Sequence, residues 1–180
     1  MKFKVFRFNK VKSTNNTAIR IIKNYNHEYG MILSNSQING RGQYGKKWIS
    51  YNGNLFVSFF YNLKNFNISL NKLTKVNCVI VKKCISDYYK SKIYFKSPND
   101  LMIKKKKICG ILQETVNKLN NKYLIVGIGI NLVKSPVIKN YPTTHLSQLI
   151  NKKIPKKKIE IKLKKIFENN LKKFLRKKYI

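Results

Sequence analysis

Ile108-Cys109-Gly110-Ile111-Leu112-Gln113-Glu114-Thr115-Val116, then Asn120-Asn121, then Tyr123-Leu124-Ile125-Val126-Gly127-Ile128-Gly129-Ile130, is the stretch on which the fold turns. β-branched and aromatic residues fill both arms, and the Asn-Asn pair between them has turn chemistry, so the pattern predicts a hairpin of two long strands. Gly127 and Gly129 lie inside the second arm, and Asn131 follows its end. A glycine within a strand marks either a bulge or a place where another backbone or a flat ligand comes close. In the second case Asn131 could hydrogen-bond a base edge.

Upstream, Lys2 to Phe8 alternates basic and apolar residues, with Phe3, Val5, Phe6 and Phe8 supplying the apolar content of a half-buried strand. Ser13-Thr14-Asn15 reads as a helix entry, and Ala18, Ile19, Ile21 and Ile22 follow at helical spacing until Gly30 stops the segment ahead of a short strand, Met31-Ile32-Leu33. Gly40, Gly42 and Gly45 break up Gln37 to Trp48 into an irregular loop, and Asn52-Gly53 turns into the aromatic strand Leu55 to Tyr61. Ser69 caps a helix whose inner face reads as Leu70, Leu73, Val76, Val79, Ile80 and Cys84. Ile93 to Lys96 is a short strand broken by Ser97-Pro98-Asn99-Asp100. Lys156 to Tyr179 is a lysine-rich helix with Ile159, Leu163, Ile166, Phe167, Leu171, Phe174 and Leu175 as its apolar stripe. Paired strands with helices between the groups give an α+β fold, a sheet covered by helices.

The chain has 180 residues, 43% of them hydrophobic, enough for one domain with a real core, and no apolar run of membrane length. Lys and Arg number 39 against six acids, a formal +33. Such a charge draws polyanions, but only Arg7, Arg20, Arg41 and Arg176 carry the bidentate guanidinium that specific nucleic-acid readout favours. Lys, Asn and Ile are inflated together, as compositional drift at tolerant surface positions would do, so no specific DNA partner is expected. Cys78, Cys84 and Cys109 have neither zinc spacing nor an even count, and read as reduced core thiols with no metal site. The N-terminal residues lack a signal-peptide core, which leaves the cytoplasm as the expected compartment.

Three segments carry chemistry. In Gly40-Arg41-Gly42-Gln43-Tyr44-Gly45-Lys46-Lys47-Trp48 the glycines admit a close ligand and the cations suit an anion, the alternative being an exposed hairpin with solvated lysines. Lys96-Ser97-Pro98-Asn99-Asp100 places one of the six acids in a rigid turn, and a run of four lysines, Lys104 to Lys107, follows. The third is Gly127-Ile128-Gly129-Ile130-Asn131.

In order and spacing these segments resemble the biotin protein ligases. The family's early Ser-Thr-Asn, its Gln ahead of GRGRxGRxW, its KWPND, its Lys-x-x-Gly-Ile-Leu and its GxGIN are similar to Ser13-Thr14-Asn15, Gln37, GRGQYGKKW, KSPND, KICGIL and GIGIN here. The resemblance implies the class II aminoacyl-tRNA-synthetase-like fold, with a mixed, largely antiparallel sheet. It implies one catalytic domain over residues 1–180, without an N-terminal helix-turn-helix or a C-terminal β-barrel. The implied activity joins biotin to ATP as biotinyl-adenylate and then to a lysine of a biotin carboxyl carrier domain, that of acetyl-CoA carboxylase or a related enzyme, with Mg2+ accompanying the ATP. Pairing of two copies through the sheet, seen among relatives, is a further expectation.

By matching position, Ser13, Thr14, Asn15 and Gln37 would hold biotin's polar groups, and Arg41, Gly42 and Gln43 would lie over carboxylate and phosphate. Lys107, with Gly110 beside it, would be the catalytic cation, and Asp100 would position the site or the incoming amine. Trp48 and Asn131 would meet adenine, and Lys46 the departing phosphates. Gln43 stands where the pattern has its second arginine, and Ser97 where it has tryptophan, which removes aromatic packing expected beneath the biotin site. Transfer of lipoate or octanoate on the same fold is the nearest alternative, although Arg-Arg-x-x-Gly-Gly-Gly is absent. A basic nucleic-acid-binding module is the non-enzymatic one.

Overall fold

A computed structural model describes residues 1–175. Its main sheet has seven strands. β1 (Lys4–Val11) runs parallel to β2 (Tyr29–Gln37), joined through helix α1 (Thr14–Asn24), and every other pairing is antiparallel. Two short strands, β3 (Gly40–Arg41) and β4 (Lys47–Trp48), form a separate ribbon, after which come β5 (Leu55–Asn62) and helix α2 (Leu70–Ser86). Next are β6 (Tyr94–Lys96), β7 (Asp100–Ile103), β8 (Lys106–Lys118) and β9 (Asn121–Ile130), then helices α3 (Leu146–Ile150) and α4 (Lys156–Lys172). The spatial order is β1-β2-β5-β9-β8-β7-β6. The α+β, mixed and largely antiparallel arrangement is the one the sequence led us to expect.

The strand period of two sorts side chains between the faces. On β9, Leu124, Val126, Ile128 and Ile130 join the large core under α2 and α4, while Tyr123 and Ile125 pack with Ala18, Ile21 and Ile22 of α1 on the other side. Gly127 and Gly129 continue this second face, and the absence of side chains there opens the floor of a cleft.

Several sequence expectations shift. Gly30 does not end α1, which stops at Asn24; it lies within β2, where the Phe60 ring leaves no room for a Cβ. The glycine loop is not wholly irregular, since Gly40 pairs with Trp48 and Arg41 with Lys47 around the turn Gln43–Gly45. On α2, Leu70 and Val79 are exposed, and the buried stripe instead runs through Leu73, Asn77, Cys78, Ile80, Val81, Cys84 and Ile85. Val5 is exposed because β1 is an edge strand. The hairpin turn sits at Leu119-Asn120, as Lys118 already pairs with Asn121. Asp100 opens a strand, β7, that the sequence pattern did not reveal. Helix α4 ends at Lys172; Phe174 and Leu175 lie beyond it yet still pack on the core, and the rest of the expected helix, 176–179, lies outside the described residues.

Candidate active site

The cleft lies where the start of α1, the β3–β4 ribbon and the glycine face of the β8–β9 hairpin meet. Gly110 and Gly129 are cross-strand partners, and the Trp48 ring lies directly on them. A Cβ on Gly129 would come within 2.4 Å of that ring, so both glycines are required by close approach of an aromatic surface. Gly127 likewise admits Asn15, whose Oδ1 would lie 2.2 Å from a Cβ there.

One wall is a hydrogen-bonded polar set. Gln37 Oε1 accepts from the Thr14 amide at 2.9 Å and from its hydroxyl at 3.2 Å, and Gln37 Nε2 donates to Ser50 Oγ at 3.1 Å. Ser58 Oγ sits 2.6 Å from Asn15 Oδ1 and 2.8 Å from Thr14 Oγ1. Asn15 Nδ2 donates to Glu114 Oε2 at 2.7 Å. Ser13 occupies the N-cap position without using its side chain as a cap, and it too lines the cleft. Most buried polar groups in folded proteins are paired, and the pairing here holds the members of this network in fixed directions.

The cations come from opposite sides. Arg41 forms an ion pair with Glu114 and donates to Asn16 Oδ1 at 2.6 Å. Lys107 Nζ lies 2.9 Å from Asp100 Oδ1 and faces the rings of Trp48 and Tyr141 at 5.3 and 5.5 Å. A bulge aims this lysine. Cys109 pairs with Leu101, but Lys107 pairs with Met102, so Ile108 is an extra residue in β8. Ile108 and Cys109 therefore both enter the core, and Lys107 shares a face with Gly110, its Cε 3.4 Å from where a Cβ on that glycine would stand. The Lys-x-x-Gly spacing is the trace of this bulge.

Of the remaining expected site residues, Asn131 is fully buried, with Nδ2 donating to Thr144 O and Oδ1 without a partner. Trp48 Nε1 is also buried and unpartnered. Lys46 lines a second cavity, about 480 Å³, on the other side of the glycine ribbon together with Arg41, Tyr44 and Glu114. Gln43 lines neither cavity and sits in the ribbon's turn. Ser97 is exposed and lines a groove against α2, away from the cleft, so its replacement of tryptophan does not remove packing beneath the cleft. The main cleft holds only about 40 Å³, the room of one or two waters, with Trp48 and Arg41 among its walls.

Sequence reasoning missed Glu114, Ser58, Ser50 and Tyr141. Glu114 was detectable in principle, because it is one of only six acids, the argument that singled out Asp100.

The matched family explains the arrangement. Residues 5–131 match the model of the biotin/lipoate A/B protein ligase family. The chain belongs to that family. Among curated ligases of this family it is 32% identical over 95 residues to the bifunctional ligase/repressor BirA of Escherichia coli, and 31% identical over 155 residues to BirA of Bacillus subtilis. Those matches cover 52% and 80% of this chain but 30% and 46% of the relatives, so the chain spans less than half the length of either. Among solved ligases, biotin protein ligase from Aquifex aeolicus in complex with biotin and ATP superposes with a TM-score of 0.80 at 32% identity, covering 97% of this chain and 72% of that one. The Leishmania major ligase, at 20% identity and a TM-score of 0.83 over 96% of this chain and 76% of that one, has the same fold.

Proposed function

We propose that this chain activates biotin with ATP and transfers it to a lysine of a biotin carboxyl carrier domain. The observation that carries the proposal is the cleft's composition: Arg41 and Lys107 flank a floor of paired glycines, with Ser13, Thr14, Asn15 and Gln37 at the polar wall. A ureido ring presents both donors and acceptors to such a wall. A dithiolane or an alkyl chain has no donors or acceptors to exchange with that network, which favours biotin over lipoate or octanoate.

In the first step a biotin carboxylate oxygen bonds to the α-phosphorus of ATP while the bond from that phosphorus to the bridging oxygen breaks and pyrophosphate leaves. Two anions must meet, so Lys107 and Arg41 stabilise the charge that builds on the transferring group. In the second step the neutral amine of the acceptor lysine attacks the biotinyl carbonyl carbon, AMP departs with the bonding electrons, and the amine loses its proton. Asp100 lies beside Lys107 and would position the site by steadying that cation. Trp48 offers adenine an aromatic face, and the unpartnered Oδ1 of Asn131, which lines neither cavity, would accept from the exocyclic amine once adenine reaches the end of β9. Lys46, which lines the second cavity, would meet the departing phosphates. No cluster of three His, Cys, Asp or Glu side chains occurs among the described residues, so we assign the Mg2+ that accompanies ATP to its phosphates. The +33 charge would draw an acidic carrier surface, with a transfer rate that falls as salt rises.

Biotin-dependent ATP–pyrophosphate exchange tests the first step without the carrier. Exchange that requires biotin and drops by about 10²–10³-fold in Lys107→Ala supports the proposal. Exchange driven by lipoate or octanoate instead reassigns the substrate, and folded protein that exchanges with no acid overturns the enzyme reading.

A further inference from the structure

Tyr141 lies past residue 131, where the family match ends, yet it reaches the centre of the cleft's chemistry. Its hydroxyl donates to Asp100 Oδ2 at 2.5 Å, leaving Oδ1 to Lys107. Its ring lies 5.5 Å from the Lys107 ammonium, which also has the Trp48 ring at 5.3 Å. The surrounding segment is stitched to the same lysine, since the Lys107 amide donates to Pro142 O at 2.8 Å and the Thr144 amide donates to Lys107 O at 2.9 Å.

We propose that Tyr141 is the positioning residue of the Asp100–Lys107 pair, fixing the carboxylate through its hydroxyl and, together with Trp48, setting an aromatic ring beside the ammonium where Lys107 lines the cleft. An untethered lysine has four rotatable bonds and would spread its charge over many positions. A carboxylate anchored on its far oxygen and two aromatic faces remove most of that freedom before substrate arrives. Burial, reinforced by the hydrogen bond to Asp100 and its charge, pushes the Tyr141 phenol above its ordinary range, so it stays a donor rather than a base throughout working pH. The other charge at this tyrosine is Lys96 of β6, the cross-strand neighbour of Asp100, whose Nζ lies 4.3 Å from the ring and forms no ion pair with that carboxylate.

This inference rests on the proposed adenylation, so its test has one readout that needs no substrate. In Tyr141→Phe the ring remains and the hydroxyl is lost. Exchange should then fall roughly 10-fold in kcat, with KM for biotin within about twofold and the variant still folded, its melting temperature lowered by the lost hydrogen bond. Tyr141→Leu, which loses the ring as well, should fall further. Independently, competitive acetylation of the native protein, read by peptide mass spectrometry, should label Lys107 several-fold faster in Tyr141→Phe relative to exposed Lys10. Unchanged Lys107 labelling overturns the proposal whether or not the wild type turns over biotin. So does wild-type kcat in the phenylalanine variant, or a loss confined to KM. A wild type that labels as expected but shows no exchange with biotin would overturn the substrate assignment and leave Tyr141's positioning role supported.

Discussion

The two faces of the main sheet are built on opposite rules from the same strands. Toward α2 and α4, β9 presents Leu124, Val126, Ile128 and Ile130, and the space is filled until Phe59 and Phe167 stack at 4.0 Å between centroids. Toward α1 and the β3–β4 ribbon, the same strand falls away from Tyr123 and Ile125 to Gly127 and Gly129, and what fills the space is polar or movable: Asn15, Trp48, Lys107. One face therefore supplies stability, and the other gives up side chains to make room for chemistry. The comparison predicts that substitutions will separate by face, those under α4 changing stability and those on the glycine face changing function.

The sharpest attempt to break that division is Phe167→Ala. The ring is fully buried among Phe3, Phe59 and the α4 stripe, so its loss should cost about 3–5 kcal/mol in urea unfolding. Exchange per folded molecule should stay at the wild-type value. A folded variant with wild-type stability but impaired exchange would dissolve the distinction between the faces.

Much of that distinction was legible before the structure, and the part that was not has a common cause. The hairpin, the aromatic strand and the α4 stripe could be read because their signals are local periodicities. The glycine face was visible as an oddity in β9, without its occupant. The residues that escaped notice are those whose partners lie far along the chain: Glu114 meets Arg41 across 73 positions, Ser58 meets Thr14 across 44, and Tyr141 meets Asp100 across 41. The bulge at Ile108 was hidden for another reason, since it is defined only by the register against β7. Leu70 and Val79 misled because helical spacing alone does not say which of two adjoining stripes is inward.

A smaller effect sharpens the comparison from the glycine side. Gly129→Ala adds a Cβ that would stand 2.4 Å from Trp48, and the ring must leave the floor. We expect a stability change of no more than about 1 kcal/mol, because the ring is partly exposed and alanine is the better strand residue. The functional change should be larger, a rise of roughly tenfold in KM for ATP, if Trp48 is the adenine surface. Trp48 is the chain's single tryptophan, so its emission reports the displacement directly, with a red shift in the variant and a further change on adding ATP to the wild type. Unchanged emission in Gly129→Ala would mean the ring does not rest on the glycines.

The smallest expected effect concerns the three cysteines, which all lie on the filled face. Burial pushes the Cys78 thiol up to about 11 and the Cys84 thiol up to about 12, and holds the Cys109 thiol well above its ordinary value of 9.0. The sign of the pH dependence follows. Below pH 9 folded and unfolded chains both keep the thiol protons, and the contribution of these groups to stability is complete. Above it the unfolded chain releases protons that the folded chain retains, so stability declines as pH climbs and the contribution is gone once pH passes the folded values. At pH 8 iodoacetamide should accordingly react only through opening, slower than with unfolded chain by about 10³-fold or more at ordinary domain stability. Biotin and ATP should not slow it further except through global stabilisation, because the thiols face away from the cleft. Protection of Cys109 by ligands out of proportion to the other two would connect the faces through β8, where Cys109 and Gly110 are neighbours on opposite sides, and would show that occupancy of the cleft is felt in the core.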